Sequence, residues 1–426
     1  MRSSFWFVPA LLVVFAVGLA SVLIAVDASF DLQIDKRWPL IFGAGASGAR
    51  GLLAAVASSM ITVAGVVFSI TIVALSLASS QYTSRVLRNF MRDWVNQMVL
   101  GVFVGIFAYC LVTLRVIRGG DEGTFVPSLA VGVGLILAFV GIGYLIFFIH
   151  YISISIQASS IIATAASETV VAVDRLFPDD IGDDADENGE VEREALETHG
   201  CWLEVPALKT GYIESVDGES LVKFASANRM LLRMERGIGE FVIEGTPLLS
   251  IADREQSGCN PMVQQLNTLY VIARHRTVDQ DACFGIRQIV DVALKALSPG
   301  INDTTTAVMC IDYLSAILVR LTSRRIATNQ RFDGGELRVI ARGPTFSSLL
   351  SEAFDQIRHN ARGNVAVLTR LLEAIEVIAV RTRSERRRQL LRQQLELIHA
   401  LAQETVDTPH DRRGIDVVRL RLASVL

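Results

Sequence analysis

Four uncharged apolar stretches dominate the first 150 residues, each too long to be an ordinary core helix of a water-soluble domain. They run Phe5 to Val26, Gly51 to Ser80, Val95 to Leu114 and Phe125 to His150. A hydrocarbon core of about 30 Å takes roughly 20 helical residues, so each run can cross a bilayer. The first run follows a single Arg2 and has the outline of a signal peptide. Its 22 uncharged residues exceed the roughly 7 to 15 of such a leader's apolar region, and further spans follow, so it is read as a first membrane helix. Overall, 51% of the 426 residues are apolar, and the excess lies almost wholly before residue 165.

Lys and Arg flanking a span are retained preferentially on the cytoplasmic face. Arg2, Arg85, Arg88 and Arg92 share one side of a four-span arrangement, and Asp27, Asp31, Asp35, Asp121 and Glu122 share the other, together with Arg50, Arg115 and Arg118. The expected protein is a multi-pass component of the bacterial inner membrane with both termini in the cytoplasm.

Cys110, Cys201, Cys259, Cys283 and Cys310 are odd in number and show no paired spacing, so neither a disulfide framework nor a zinc ribbon is expected. The His residues have no helical metal-binding pair, and His199 with Cys201 makes two ligands only. No cofactor or metal is expected. Phosphate loops, nucleophile elbows, zinc helices and dinucleotide fingerprints are absent from the sequence. Its nearest match, Gly43-Ala-Gly-Ala-Ser-Gly48, has no preceding strand and reads as a flexible turn leading into the second span. The chain is therefore not expected to be an enzyme.

Beyond the spans, Ser153 to Leu176 continues as a helix, which places the membrane domain at 1–176. Residues 177–198 are strongly acidic, poor in large apolar side chains, and read as a linker or, alternatively, an acidic docking tail. Residues 199–255 carry short apolar runs broken by glycine: Gly211-Tyr-Ile213, Ser220-Leu-Val-Lys-Phe224 and Met230-Leu-Leu-Arg-Met234. They are expected to form strands of a small barrel or sandwich. GEFVIEGTPLLSI, Gly239 to Ile251, is similar to the closing strands of biotinyl and lipoyl carrier domains and of membrane-fusion adaptors, with Gly239 and Gly245 at tight turns and Pro247 opening a strand. Lys223 lacks the carrier-lysine context, so a structural role is favoured there. Residues 256–426 return to helical spacing, with a possible hairpin at Gly334 to Ile340. The fold class is thus an α-helical membrane protein, with four transmembrane helices and a mixed α/β cytoplasmic region comprising a small β barrel or sandwich and a helical layer.

Within the second span, Ser59, Thr62, Ser69, Ser76 and Ser80 follow one another at helical intervals and share one stripe. Lipid offers hydroxyls no partner, so the stripe is expected to face other helices or water. Two readings follow: close packing helped by Gly65 and Ala74, or the lining of a hydrated pore built from several copies. Arg85, Arg88 and Arg92 would then form its cytoplasmic mouth, or anchor the helix against anionic headgroups. No charge lies in the middle of any span, which argues against a transporter coupled through buried charges. The basic run Arg381, Arg383, Arg386, Arg387, Arg388 and Arg392 has no interleaved aromatics and reads as a solvated helix face able to pair with the acidic linker, with no nucleic acid as partner.

ALSPGINDTTTA, Ala296 to Ala307, is preceded by QDACFGIRQIVDVALK from Gln280 and matched upstream by VFSITIVALSLASSQYTSR, Val67 to Arg85. Together these segments resemble a bacterial family of predicted membrane proteins catalogued as a domain of unknown function. The resemblance spans essentially the whole chain and implies an architecture rather than an activity. In the Ala296 to Ala307 loop, Asn302 or Asp303 can cap the following helix. The alternative is a ligand or cation site formed by Asn302, Asp303, Thr304 and Thr305. The expected function is an oligomeric channel or conduit gated by the cytoplasmic region. The alternative is a membrane-anchored sensor or scaffold for a cytoplasmic protein partner. The bilayer and further copies of the chain are the other partners expected.

Overall fold

A backbone in lipid must satisfy its own hydrogen bonds, so the apolar runs become helices. The computed structural model describes residues 6–29, 45–81, 94–118, 125–177, 202–252, 260–326 and 329–423. The chain divides into two compact units, Met1–Ser160 and Ile161–Leu426.

The first unit holds α1 (Phe7–Ser29), α2 (Ala46–Gln81), α3 (Trp94–Val116) and α4 (Ser128–Ser155). Helix α3 is the centre of this bundle, packing on all three others and burying Phe103, Ile106, Tyr109 and Cys110. Gly101 and Gly105, one helical turn apart, let α1 come close: a Cβ at Gly101 would lie 3.0 Å from Pro9 Cα, and one at Gly105 3.4 Å from the Leu12 carbonyl. Helices in lipid gain from such small-residue contacts because apolar burial adds little there. At one end of the bundle Asp27 accepts from the amides of Leu129 and Ala130 (3.4 and 3.1 Å), satisfying donors in the first turn of α4. Tyr109 donates to the Ala130 carbonyl at 2.7 Å, and Arg50 donates to the Ile117 carbonyl at 2.8 Å.

In the second unit, α5 (Ala158–Leu176, its first residues belonging to the first unit) precedes β1 (Trp202–Pro206), β2 (Gly211–Val216), α6 (Gly218–Ala227), β3 (Leu231–Met234), β4 (Phe241–Val242) and β5 (Pro247–Ala252). Then come α7 (Asn260–Thr268), β6 (Tyr270–Ala273), α8 (Ala282–Ala296), α9 (Thr304–Thr322), β7 (Gln330–Asp333) and β8 (Glu336–Ile340). Helices α10 (Phe346–Asn360), α11 (Val365–Arg381), α12 (Glu385–Thr405) and α13 (Pro409–Ala423) complete it. Among the described residues, five helices are long and apolar enough to cross a membrane: α1, α2 over Ala46–Ser76, α3, α4 and α9. Length and hydropathy therefore return one helix more than the four runs read from the sequence.

Three expectations for the β region need correction. First, among the described residues the strands close no barrel; they form a five-stranded sheet of order β1-β5-β3-β8-β7 and a three-stranded sheet β4-β2-β6. Second, Ser220 to Phe224 is helical: Asp217 caps α6 by accepting from the Ser220 amide, and Leu221 and Ala225, four residues apart, supply the buried face. Third, β8 lies parallel to β3 and β6 antiparallel to β2, so residues after 256 complete the sheets begun before it. The Gly334–Gly335 turn joins β7 to β8 with both residues at positive φ, the conformation a two-residue hairpin requires. Gly239 and Gly245 also have positive φ, and Pro247 opens β5.

Ion pairs fasten α5 within this unit. Asp174 meets Arg320 at 2.6 Å and Arg324 at 2.7 Å, and Arg324 also donates to the Phe177 carbonyl. The hydrogen bond from Arg320, with the positive charges of both arginines, holds the Asp174 carboxyl below its ordinary value of 3.8. A depressed carboxylate contributes stability that is present above the unfolded-state value and lost as pH falls through the folded one. Asp174→Asn is expected to lower the unfolding temperature of the full-length protein at neutral pH. The gap from wild type should close below about pH 4. A gap unchanged down to pH 2 would show that the carboxylate charge is not what holds α5.

Candidate functional site

The hydroxyl stripe of α2 lies opposite the face that helix buries. At about 3.6 residues per turn, Ala49, Leu53, Ala57, Met60, Ala64 and Val67 fall on one side, and all are buried in the first unit's core. Ser59, Thr62, Ser69 and Ser76 fall on the other side and are exposed. The side chain of Ser80 lies outside the described residues, as do Arg85, Arg88 and Arg92. Ser59 and Thr62 each donate to the carbonyl four residues back, Ala55 and Ser58, at 2.8 Å. That leaves their oxygens as acceptors facing outward. Ser58 and Gly65, also exposed, keep the face shallow. Ile61, Phe68, Ile72 and Val73 are exposed beside it.

In the Ala296 to Ala307 loop, Asn302 takes the left-handed conformation (φ 50°), and the Asp303 amide donates to the Ala296 carbonyl at 2.8 Å. Asp303 caps α9: its carboxylate accepts from the Thr306 amide at 3.0 Å and the Thr306 hydroxyl at 2.5 Å, which holds its pKa down. Thr304 accepts from Asn364 at 3.0 Å, and Asn364 in turn caps α11. The loop thus ties the starts of two helices together, while Asn302 and Thr305 remain exposed. Among the described residues no three His, Cys, Asp or Glu side chains converge as a metal site would require; His199, Cys201, Cys259 and the acidic segment 178–198 lie outside them.

The basic run from Arg381, at the end of α11, to Arg392, in α12, is not uniformly solvated. Arg387 is 3% exposed; it donates to the carbonyls of Leu321 (2.9 Å), Thr322 (3.2 Å) and Arg324 (3.1 Å) at the end of α9, and stacks 4.8 Å from the Phe346 ring. A cation at a helix C-terminus satisfies its last carbonyls and opposes its dipole. Arg381, Arg383, Arg386 and Arg392 are exposed, as the sequence reading expected of the whole run.

A family model described as "Predicted membrane protein (DUF2254)" matches residues 2–377. The chain belongs to that family. As a member of this predicted-membrane-protein family it contacts the lipid bilayer, and the match spans every helix of the first unit and the loop at Asp303. Uncharacterized proteins of Mycobacterium tuberculosis, strains CDC 1551 / Oshkosh and H37Rv, and of Mycobacterium bovis are each 34% identical over 417 residues, covering 97% of this chain and 78% of their own length. No solved structure matches the chain.

Proposed function

We propose that several copies of this chain assemble in the bacterial inner membrane around α2, whose hydroxyl stripe lines a hydrated path that the second unit gates. The supporting observation is the placement of Ser59, Thr62, Ser69 and Ser76 on the face of α2 turned away from the protomer's own core. A stripe serving packing within one protomer would be buried there; an exposed one is available to a neighbouring copy and to water. In this reading α1 to α4 are the spans and both termini are cytoplasmic. Helix α9 is a core helix of the second unit, because it packs between α8 and α11 and carries ion pairs from Asp312 to Arg370 and from Arg320 to Asp174. The activity is passive conduction rather than catalysis.

The test is solute flux or single-channel recording on the full-length protein in liposomes. Ser69→Leu and Ser76→Leu should each reduce conductance by about tenfold or more, since each replaces a polar lining with a bulky apolar one. The variants must retain the wild-type oligomeric state. Absence of flux from folded wild-type protein, or flux indifferent to both substitutions, would reject the pore and favour the sensor or scaffold.

A further inference from the structure

Two helix ends meet where α5 hands over to the segment that leads to β1. Arg324, just beyond α9, donates to the Phe177 carbonyl at 3.2 Å, and its own carbonyl accepts from Arg387, in the first turn of α12, at 3.1 Å. Phe177 is thereby fixed beside the end of α9 and the start of α12.

Positive charge gathers at the same place. Arg320, Arg324 and Arg325 come from the end of α9, and Arg383, Arg386 and Arg388 from the entry to α12. Residues 320–325 and 381–392 together carry nine arginines and one carboxylate, Glu385. Asp174 of α5 adds a second carboxylate, paired with Arg320 and Arg324. The surface therefore keeps an excess of positive charge. Arg325, Arg383 and Arg386 are exposed on it, and Arg325 and Arg386 are the chain neighbours of the bonded pair Arg324 and Arg387.

The sequence after Phe177 has the opposite sign. Residues 178–198 hold ten carboxylates and one base, Arg193, and lie outside the described residues. Asp179 and Asp180 come two and three residues after the anchored carbonyl. A chain spans at most about 3.6 Å per residue, so both lie within roughly 11 Å of Phe177 by any path.

We infer that residues 178–198 dock on this arginine surface of their own chain, the carboxylates from Asp179 onward taking the guanidinium groups of Arg325, Arg383 and Arg386. Exposed ion pairs contribute little singly, but a tethered row of them meets its partners at high effective concentration. The docked segment occupies a surface that would otherwise attract anionic headgroups. The inference is independent of whether α2 lines a pore, because it is read by proteolysis without flux.

The test uses the full-length protein in nonionic detergent and a protease that cleaves after Glu, since Glu187, Glu190, Glu192, Glu194 and Glu197 all lie in the segment. Cleavage there is expected to be about tenfold slower than in the free peptide of residues 178–201, through several exposed pairs acting together. The protection should fade at about 1 M salt, where the screening length falls to roughly 3 Å. Arg325→Glu combined with Arg386→Glu should bring cleavage close to the rate of the peptide. Adding Asp179→Arg and Asp180→Arg to that pair should return part of the protection, which damage to the fold could not do. Arg413→Glu should be cleaved as wild type: it is exposed on α13, which runs back along α12 with Asp416 at His399 and Arg419 at Glu396, and so lies toward the other end of α12. The inference is overturned if wild type is cleaved as fast as the peptide, if the double reversal leaves protection intact, or if the charge swap restores none of it. It is also overturned if protection seen in nanodiscs of zwitterionic lipid is lost in nanodiscs containing phosphatidylglycerol, which would give the surface to anionic headgroups instead.

Discussion

Arg387→Ala is expected to destabilise the second unit by about 3 kcal/mol or more, with a fall in unfolding temperature of roughly 6 to 12 °C. The side chain is almost wholly buried, and its guanidinium is the donor for three carbonyls at the end of α9. Truncation leaves those carbonyls desolvated without that partner, at about 1 to 3 kcal/mol for a buried unsatisfied group. It also removes the stacking on Phe346, worth about 1 to 2 kcal/mol when desolvated. Arg387→Lys should recover less than half of the loss, since one ammonium cannot reach three carbonyls in the fork geometry of a guanidinium. Thermal unfolding of the full-length protein measures both. An Arg387→Ala protein within 1 kcal/mol of wild type would mean that water reaches the end of α9 and takes over the bonds.

The membrane half was legible because hydropathy over twenty residues is a strong, local signal, and the resemblance at ALSPGINDTTTA led to the family that the comparison then showed. The same signal also picks out α9, whose buried residues, from Ala307 and Cys310 to Leu318 and Leu321, give it the length and hydropathy of a span. Ser220 to Phe224 failed as a strand because its five residues satisfy an alternating pattern and a helical one alike. The deciding marks were Asp217 at the cap and Ala225 beyond the window. Arg387 was hidden by its neighbours: in a run of arginines nothing local marks the one that turns inward, since its acceptors lie more than sixty residues earlier. The pairing of β8 with β3 was equally invisible, because the two strands lie about a hundred residues apart in the sequence.

The hydroxyl stripe of α2 is a subtler case. Its spacing was readable, but its direction was not, because both faces of that helix are apolar enough to meet either lipid or protein. The placement of Leu53 and Met60 against Gly134 and Gly141 of α4 turns Ala57 and Ala64 inward and the hydroxyls outward. Small residues on a neighbouring helix, which no pattern within α2 reveals, set the orientation on which the pore proposal stands.

Gly285→Ala should have an effect of similar size to Arg387→Ala, by overpacking rather than by loss of a partner. Gly285 lies buried on α8 where α5 crosses it; a Cβ there would stand 2.8 Å from Thr169 Cγ2 and 2.9 Å from Thr169 Cβ. Real Cβ contacts are essentially never that short, so one helix must move. Thr169 is fully buried and its hydroxyl donates to the Ala165 carbonyl at 2.6 Å, so the threonine cannot simply rotate away without losing that bond. A loss of about 3 kcal/mol is expected, at the upper end for added core volume. Thr169→Ala in the same chain should restore part of it by removing Cγ2 and the hydroxyl, though not the close Cβ. Helix α5 starts in the first unit and ends in the second, so loosening its seat should also speed protease cleavage near Leu176 in the full-length protein. Limited proteolysis beside thermal unfolding separates this from global loss of fold. Wild-type stability in Gly285→Ala, or no recovery on adding Thr169→Ala, would show that α5 does not rest on α8 through this contact.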